Sequence, residues 1–426
     1  MKLYEDLQWR GLVHQTTDEK LAAWLAEQPR TVYAGFDPTA DSLHVGSLLG
    51  LIVLRRFQQA GHKPIAVVGG ATGMIGDPSG KSDERNLLDK QQLANNVAGI
   101  GEQMKRFLDF DCGDNSAQLV NNFDWTGQWT YLEFLRDIGK NFPVNVMLAK
   151  DSVKSRLTSD VGMSYTEFSY MLLQAFDFVH LHQQHGCELQ AGGSDQWGNI
   201  TAGIDLARRM HSVPLYGLTW PLLTTSDGKK MGKTEAGAVW LDAERTSPYQ
   251  FYQYWKNVDD TDVDGCLRML TELSRADIES LDAARQSDAA RRESQTRLAE
   301  ALTQLVHGEE GLASAERATA YLFGGAQIER STDTELTGVF ADVPTAEAPR
   351  SLLDGEGLSI VEALATSPLA KSKGEARRTV EQGGAYVNNR RIRDLDHRVT
   401  ASDLASESYM VLRAGKKRYA LLKFVQ

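Results

Sequence analysis

The chain has 426 residues and a formal net charge of −11, and its 42% hydrophobic and 24% charged residues are typical of a soluble globular protein with about two to four domains. Its longest strongly apolar run, residues 48–54, is too short to span a bilayer, and the N-terminus lacks the apolar stretch of a secretory signal. The three cysteines, Cys112, Cys187 and Cys266, are odd in number and far apart. They therefore argue against a disulfide framework or a zinc site and favour a reducing cytoplasm.

Strand and helix patterns alternate along the first part of the chain. The segment "TVYAGF" (31–36) predicts a strand, residues 44–61 have the length and pattern of a helix, and "PIAVVGG" (64–70) predicts a second buried strand. Residues 187–210 repeat the theme of a short strand, a glycine turn and a helix. This alternation predicts an α/β fold built on a parallel sheet.

The second part of the chain has a different organisation. Residues 247–340 are predicted to be mostly helical, residues 341–350 read as a linker with two prolines, and residues 351–426 predict two short helices and a hairpin with an "NNR" turn. Residues 350–426 hold 14 Lys and Arg against 9 Asp and Glu, a net charge of +5, whereas the rest of the chain is acidic. This asymmetry is typical either of an unevenly charged surface or of a tail that contacts a polyanion.

The turn after the second predicted strand, "GGATGMIGDPSGKS" (69–82), is rich in glycine. It fails as a P-loop because Ile75 stands where a glycine is needed, and it fails as a dinucleotide fingerprint because Ala71 replaces the first glycine. It remains a glycine turn at the carboxyl end of a strand, where open α/β sheets bind ligands, and it carries Asp77.

Two helical segments place polar side chains together. In "YTEFSYMLLQAFDF" (165–178), Tyr170, Gln174 and Asp177 are spaced i, i+4 and i+7 and so share one face of an otherwise apolar helix. Buried groups of this kind form a network or line a polar pocket. In "HVGS", His44 and Ser47 share the first turn of a helix, whose N-terminus favours anions. The turn "GGSDQWGN" (192–199) adds Asp195 and Gln196, which we expect to be exposed at a strand end.

Residues 228–234, "GKKMGKT", form a compact cationic segment that we call the lysine loop. Three lysines and two glycines in an acidic chain indicate either a solvated turn or a flexible loop that closes over a polyphosphate.

Together these segments resemble the class I aminoacyl-tRNA synthetases, specifically the bacterial tyrosyl-tRNA synthetase family. The family's first signature, HIGH, is matched by residues 44–47, and its second, KMSKS, is matched by residues 230–234. The order and separation of the two signatures, together with the blocks "YAGFDPTADSLHVG", "GGATGMIGDPSGK", "FSYMLLQAFDF" and "LQAGGSDQWGNITAG", extend the resemblance over nearly the whole chain.

The resemblance implies a domain plan and a reaction. It implies a Rossmann-like catalytic domain over residues 1–246, a helical anticodon-side domain over 247–340, the linker 341–350, and a small α+β RNA-binding domain over 351–426 that resembles a ribosomal small-subunit protein. The implied reaction joins L-tyrosine to ATP, accompanied by Mg²⁺, as tyrosyl-adenylate and then transfers tyrosine to tRNA(Tyr). No permanently bound cofactor or protein-held metal is expected, and a cytoplasmic homodimer is implied.

The resemblance also assigns roles to single residues. The tyrosine hydroxyl would lie between Tyr33 and Asp177, and such hydroxyl-based rejection of phenylalanine is a standard example of specificity for these synthetases. Tyrosine binding is implied for Tyr33, Gly35, Asp77, Tyr170, Gln174, Asp177, Gln190 and Gln196. ATP binding is implied for Asp37, Thr39, His44, Gly46, Ser47, Asp195, Lys230 and Lys233. Catalytic roles are implied for Lys230, Lys233, Thr234, His44 and Ser47.

The chain departs from the family signatures at two positions. Ser47 stands where the first signature ends in histidine, and Gly232 replaces the first serine of the second signature. Lys81 and Arg85, after the glycine turn, are expected to assist the phosphates, whereas Lys229 is expected to be solvated.

Three other functions are compatible with parts of the sequence. A tryptophanyl-type synthetase is disfavoured by the polar pair Tyr33 and Asp177, since indole cannot accept a hydrogen bond. An inactive RNA-binding protein on the same scaffold is disfavoured by the intact residues Lys230, Lys233, His44 and Asp177. A small-molecule adenylyltransferase would leave the basic C-terminal region unexplained.

Overall fold

The chain divides into two compact units. A computed structural model describes residues 2–79, 89–157, 162–234, 237–324, 326–329, 331–340, 343–416 and 418–425. The first unit comprises Met1–Thr246 and Trp255–Val306, and the second comprises Ser247–Tyr254 and His307–Gln426.

The first unit is built on a sheet that has six strands among the described residues, in the order β1-β6-β5-β2-β3-β4. The strands from β2 to β6 are parallel and β1 is antiparallel to β6, which confirms the predicted parallel α/β architecture. The strands are β1 (Gln15–Thr16), β2 (Thr31–Phe36), β3 (Lys63–Val68), β4 (Gln118–Asn121), β5 (Leu189–Gly193) and β6 (Tyr216–Trp220), and a separate two-stranded ribbon consists of β7 (Lys233–Thr234) and β8 (Gly237–Ala238).

Helices cover the sheet and extend into the rest of the unit. No helix of the described residues is long and apolar enough to cross a membrane. The helices up to Thr319 are α1 (Leu3–Trp9), α2 (Leu21–Glu27), α3 (Val45–Gln59), α4 (Thr72–Ile75), α5 (Lys90–Met104), α6 (Phe123–Thr126), α7 (Tyr131–Asp137), α8 (Val144–Leu148), α9 (Asp151–Leu157), α10 (Tyr165–His185), α11 (Trp197–His211), α12 (Pro248–Lys256), α13 (Val263–Leu270), α14 (Arg275–Ser287) and α15 (Glu293–Thr319).

Helices α3 and α10 position the site because their boundaries are fixed by local sequence. Helix α3 follows β2 and begins after His44, whose side chain accepts a hydrogen bond from the Gly46 amide. Helix α10 begins with a capping box of Ser164 and Glu167 and ends at Gly186 in the left-handed conformation. Both helices bury apolar side chains against the sheet, so their polar residues are directed to fixed places.

Residues 255–306 belong to the first unit, whereas the sequence predicts them within a separate helical domain. Part of the physical reason is Arg10, which is 5% exposed and donates to the carbonyl oxygens of Arg268, Thr271 and Leu273. Arg56 donates to the same Thr271 carbonyl. These buried guanidinium contacts fasten residues 268–273 to the sheet-containing part of the chain.

The second unit contains a sheet in the order β12-β11-β14-β15-β9 and the short pair β10-β13. Its two faces pack against separate apolar clusters, one of which includes Leu364 and Val380 and the other Tyr321 and Phe340. Its remaining elements are α16 (Asp333–Val339), β9 (Thr345–Pro349), β10 (Leu358–Ser359), α17 (Ile360–Thr366), α18 (Lys373–Glu381), β11 (Ala385–Val387), β12 (Arg390–Ile392), β13 (Arg398–Val399), β14 (Tyr409–Ala414) and β15 (Arg418–Val425).

Two sequence predictions for this region have different outcomes. The hairpin is present, and Asn388 and Asn389 at its turn have φ values of 48° and 64°, as a tight primed turn requires. The predicted linker 341–350, in contrast, contains β9, which pairs in parallel with β15. The linker prediction missed this strand because the backbone partner of β9 lies 76 residues further along the chain, outside any local window.

Candidate active site

A cavity of about 310 Å³ opens where β2, β3 and β5 end and α3 begins. This is the edge of an open α/β sheet at which ligands bind. Of the seventeen residues assigned to tyrosine binding, ATP binding or catalysis, those lining the cavity are Tyr33, Gly35, Asp37, Thr39, His44, Gly46, Ser47, Asp77, Tyr170, Gln174, Asp177, Gln190, Asp195, Gln196 and Lys230.

Asp177 is the most deeply buried carboxylate of this cavity, with 3% of the residue exposed. Its Oδ1 accepts a hydrogen bond of 2.7 Å from Trp125 Nε1, and its Oδ2 accepts one of 3.0 Å from Asn122 Nδ2. Burial raises the pKa of Asp177 to about 7, although both hydrogen bonds act in the opposite direction. The two donors therefore hold the carboxylate in place and keep it ionisable near neutral pH.

Tyr33 lies beside Asp177, and its hydroxyl has no hydrogen-bond partner among the residues that the structure describes. The residue is 2% exposed, and burial followed by the Asp177 charge raises its pKa well above the usual value. The Oε1 atoms of Gln174 and Gln190 are likewise buried without a partner in the described part of the chain. Unpaired buried polar atoms cost free energy, so this grouping indicates a place for a polar ligand.

A second polar network surrounds Asp77 in the glycine turn. Its Oδ2 accepts a hydrogen bond of 2.6 Å from Gln196 Nε2, and its Oδ1 accepts one of 2.9 Å from the Ser79 amide. The Oε1 of Gln196 accepts hydrogen bonds from Gln174 and Asn199. A carboxylate held among amide side chains in this way is suited to binding an ammonium group.

Asp37 and Tyr170 connect the parts of the cavity. The Tyr170 hydroxyl donates to Asp37 Oδ2 at 3.2 Å, and the Thr72 hydroxyl donates to Asp37 Oδ1 at 3.0 Å. Asp37, implied for ATP, therefore contacts Tyr170, which is implied for tyrosine. The polar stripe of Tyr170, Gln174 and Asp177 faces one cavity, as the helical spacing predicts.

The start of α3 forms the opposite side of the cavity. His44 Nδ1 accepts the Gly46 amide at 2.9 Å, and a Cβ atom at Gly46 would lie 2.7 Å from His44 Cε1. A side chain at residue 46 would therefore displace the imidazole. Asp195, like Gln196, is half-buried rather than exposed as predicted. Burial and the neighbouring Asp77 raise its pKa, and Lys230 acts in the opposite direction.

The lysine loop borders a second cavity of about 520 Å³, which shares His44, Ser47, Asp195 and Lys230 with the first. Lys233 lines only this second cavity. Of the seventeen residues assigned to tyrosine binding, ATP binding or catalysis, all of which the structure describes, Thr234 alone lines neither cavity. Its hydroxyl donates to the Gly237 carbonyl at 3.4 Å.

Other members of the loop have local roles. Lys229 is exposed and forms an ion pair of 2.7 Å with Asp227, so it faces solvent as predicted. Gly232 has a φ of +87°, and a Cβ atom there would lie 2.9 Å from Val45 Cβ. The loop therefore meets the first signature at a point where both backbone angle and space favour glycine.

The sequence analysis missed Asn122 and Trp125. Asn122 follows the carboxyl end of β4, and Trp125 lies on the short helix α6. The sequence carries one signal for these residues: "NNFDW" (121–125) comes directly after a short segment of the type that forms strands. The carboxyl ends of parallel strands converge on one edge of the sheet, where ligands bind. Lys81 and Arg85 lie outside the described residues, so their predicted assistance remains a prediction.

The chain is similar to known proteins over nearly its whole length. Residues 25–324 match the family "tRNA synthetases class I (W and Y)", and residues 335–422 match the "Tyrosine--tRNA ligase SYY-like C-terminal domain". The chain is 62% identical to the tyrosine–tRNA ligase of Rhodopirellula baltica over 99% of its length and 96% of that relative. It is 52% identical to that of Roseiflexus castenholzii, with 99% of each chain covered.

The chain belongs to the tyrosine–tRNA ligases of class I. A C-terminally truncated mitochondrial tyrosyl-tRNA synthetase of Aspergillus nidulans shares 32% identity and a TM-score of 0.67, covering 76% of this chain and 94% of the other. The tryptophanyl-tRNA synthetase of Giardia lamblia, at 16% identity and a TM-score of 0.53, covers 73% of this chain and 86% of the other and shares the fold alone. The predicted family, fold class and ligase activity are thus confirmed.

Proposed function

We propose that the central cavity forms tyrosyl-adenylate with the tyrosine side chain in its buried half. The observation that carries this assignment is the Tyr33 hydroxyl beside Asp177, for which the described part of the chain supplies no hydrogen-bond partner. A phenol hydroxyl placed there donates a hydrogen bond to the Asp177 carboxylate and accepts one from the Tyr33 hydroxyl. Phenylalanine would leave the Tyr33 hydroxyl without a partner and would give Asp177 no donor beyond Trp125 and Asn122. An unmet hydrogen bond of a buried group costs about 1 to 3 kcal/mol.

The amino-acid end of tyrosine is assigned to the Asp77 network. Asp77 supplies the charge for the ammonium group, and Tyr170 and Gln174 supply oxygens beside it. The unpartnered Gln174 Oε1 supports this assignment because an ammonium donor would satisfy it. The proposal places Gly35, Gln190 and Gln196 along the bound amino acid.

ATP is assigned to the side of the cavity formed by the start of α3. His44, Gly46 and Ser47 lie there at a helix N-terminus, which favours phosphate oxygens, with Asp37 and Thr39 beside them. Asp195 is assigned to the ribose hydroxyls. Mg²⁺ enters as part of the nucleotide substrate, and the proposal gives it no protein cage because the described residues include no cluster of three metal-ligating acidic, histidine or cysteine side chains.

The chemistry needs positioning and charge rather than a protein nucleophile. A carboxylate oxygen of tyrosine attacks the α-phosphorus of ATP, a new P–O bond forms, and the bond to the bridging oxygen of the β-phosphate breaks. Negative charge moves onto the leaving pyrophosphate. Lys230 and Lys233 are assigned to that charge, with Thr234 as an additional hydroxyl once the loop has closed.

The second step releases AMP and joins tyrosine to tRNA. A hydroxyl of the terminal adenosine attacks the carbonyl carbon of the adenylate, and its proton is lost as AMP leaves. The proposal assigns contact with tRNA to the basic residues 351–426, which lie within the second unit. Exposed basic side chains such as Lys371, Arg377 and Arg393 support phosphate contacts there.

The proposal includes a homodimer in the cytoplasm. Its support is a group of exposed apolar side chains between residues 119 and 148, with Leu132 76% exposed. Such a concentration is typical of an interface between protein chains. The members of this apolar group are Leu119, Phe123, Tyr131, Leu132, Val144, Val146 and Leu148.

The first test is amino-acid-dependent exchange of pyrophosphate with ATP, measured with tyrosine, phenylalanine and tryptophan. Tyrosine alone should support rapid exchange. Efficient exchange with phenylalanine would remove the hydroxyl from the recognition scheme.

A second test separates the two half-reactions. Replacing Lys371, Arg377 and Arg393 together by alanine should lower tRNA charging and flatten its salt dependence without changing exchange. Removing residues 350–426 is the less specific experiment, because Tyr321 and Phe340 would lose the apolar partners Tyr409 and Leu421. Equal loss of both activities in the folded triple variant would contradict a separate RNA-binding module.

A further inference from the structure

Trp125 is fixed on one side by a stacked histidine. The rings of Trp125 and His180 lie 4.5 Å apart between centroids with an interplanar angle of 14°. His180 lies on α10 three residues after Asp177, so the helix presents the stacking ring and the carboxylate to the same indole. The indole nitrogen donates to Asp177 Oδ1 at 2.7 Å.

We propose that His180 is a positioning residue for tyrosine specificity, which acts by holding the Trp125 indole against Asp177. This inference rests on the proposed recognition of the tyrosine hydroxyl by Asp177. His180 itself does not line the central cavity. Its influence on the substrate therefore passes through Trp125.

The packing around Trp125 explains why a stacking partner is needed. Trp125 borders one cavity of about 420 Å³ with His185 and another of about 470 Å³ with His180 and Phe176. Trp125 is 8% exposed, but the part of the indole that borders these cavities lacks close packing contacts. The stacked imidazole restrains the indole plane, and it keeps the N–H directed at the carboxylate.

Among the described residues, few charged or titratable groups surround the stacked rings of Trp125 and His180. Asp124, Asp137 and His211 line the cavity that contains His180, and His185 lies one turn further along α10. Burial and His185 lower the pKa of His180, so the ring is neutral at physiological pH and stacks as an uncharged aromatic group. A phenyl ring should therefore replace it.

The experiment compares three variants of the full-length protein. His180→Ala removes the stack, His180→Phe keeps an aromatic ring without a titratable group, and Gln183→Ala alters an exposed residue that lines the same cavity. For each variant, pyrophosphate exchange gives kcat/KM with tyrosine and with phenylalanine, and the pH dependence of tyrosine affinity is measured. Urea unfolding reports stability separately.

We expect the tyrosine-to-phenylalanine ratio to fall about threefold to tenfold in His180→Ala and to remain unchanged in His180→Phe and Gln183→Ala. Loosening the indole donor should also shift the midpoint of tyrosine affinity to higher pH in His180→Ala, since a weakened hydrogen bond raises the pKa of Asp177. Tyr33 and Asp37, the other titratable groups facing Asp177, are the same in all three variants.

A lower ratio in both His180 variants, or an unchanged ratio in His180→Ala, overturns the inference. A lower ratio in both His180 variants would mean that the imidazole nitrogens act rather than the stack. A lower stability of His180→Ala with an unchanged ratio would mean a structural role only. Failure of the unmodified protein to discriminate between tyrosine and phenylalanine would instead overturn the proposed function on which the inference depends.

Discussion

The end of the cavity proposed to bind tyrosine and the end proposed to bind the nucleotide differ in their exposure to water. At the tyrosine end, Asp177 and Tyr33 are 3% and 2% exposed, and fixed donors hold the carboxylate. At the nucleotide end, Lys230 and Lys233 are exposed on the lysine loop. A buried site can read a single hydroxyl because an unmet hydrogen bond has no water to replace it, whereas exposed lysines keep their charge and act when phosphates arrive.

The largest expected effect breaks the nucleotide end alone. Lys233→Ala should lower the rate of adenylate formation about 100- to 1000-fold, since it removes a charge that we assign to the leaving pyrophosphate. Tyrosine affinity should remain unchanged because Lys233 lies outside the cavity that contains Asp177. Single-turnover kinetics and equilibrium binding measure the two quantities.

Lys229→Ala is the matched control for this prediction. It removes the same charge from the same loop, at a lysine that is paired with Asp227. The control should retain nearly full activity. A loss in Lys233→Ala that appears only as weaker tyrosine binding would contradict the division of labour between the two ends.

The second effect breaks the tyrosine end. Asp177→Asn should lower the ratio of kcat/KM for tyrosine over phenylalanine about 10- to 100-fold, because a hydrogen bond to a charged acceptor is replaced by one to a neutral amide. Exchange assays with both amino acids give the ratio. The idea fails if a folded variant keeps the original preference.

The third effect is a pH dependence confined to the tyrosine end. Burial raises the pKa of Asp177 to about 7, and a tyrosine hydroxyl that donates to the carboxylate binds its ionised form. Tyrosine affinity should therefore increase with pH up to about pH 7, by at most about tenfold per unit, and level off above it. Calorimetry between pH 5.5 and about 8.5 tests this. Asp177→Asn should give a flat profile, and a wild-type profile that is equally flat would rule out this titration.

The smallest expected effect sharpens the comparison of the two ends, because one substitution should increase stability and weaken tyrosine binding. Tyr33→Phe should raise the free energy of unfolding of the substrate-free protein by about 1 kcal/mol, since it removes an unpartnered buried hydroxyl. It should weaken tyrosine binding about threefold to tenfold. Urea unfolding and equilibrium binding measure the pair of values, and a destabilised variant would show that the hydroxyl already has a partner in the free protein.

Local patterns in the sequence predicted most of the fold of the first unit and the polar stripe of α10. The stripe was predictable because Tyr170, Gln174 and Asp177 repeat at helical spacing within one segment. The donors to Asp177 were not, because Asn122 and Trp125 lie more than 50 residues away in the chain and carry no periodic signal. The burial of Asp195 was also missed, because a local sequence pattern does not show which distant elements will cover a residue.

The close approach of Gly232 to Val45 has a consequence for how this sequence can change over evolutionary time. A Cβ atom at residue 232 would lie 2.9 Å from Val45 Cβ, at a backbone φ of +87°. A serine introduced there to restore the common form of the second signature would meet both obstacles at once. The two signatures are therefore coupled through residue 232: a side chain there requires both a change in the backbone angle of the lysine loop and a displacement of Val45.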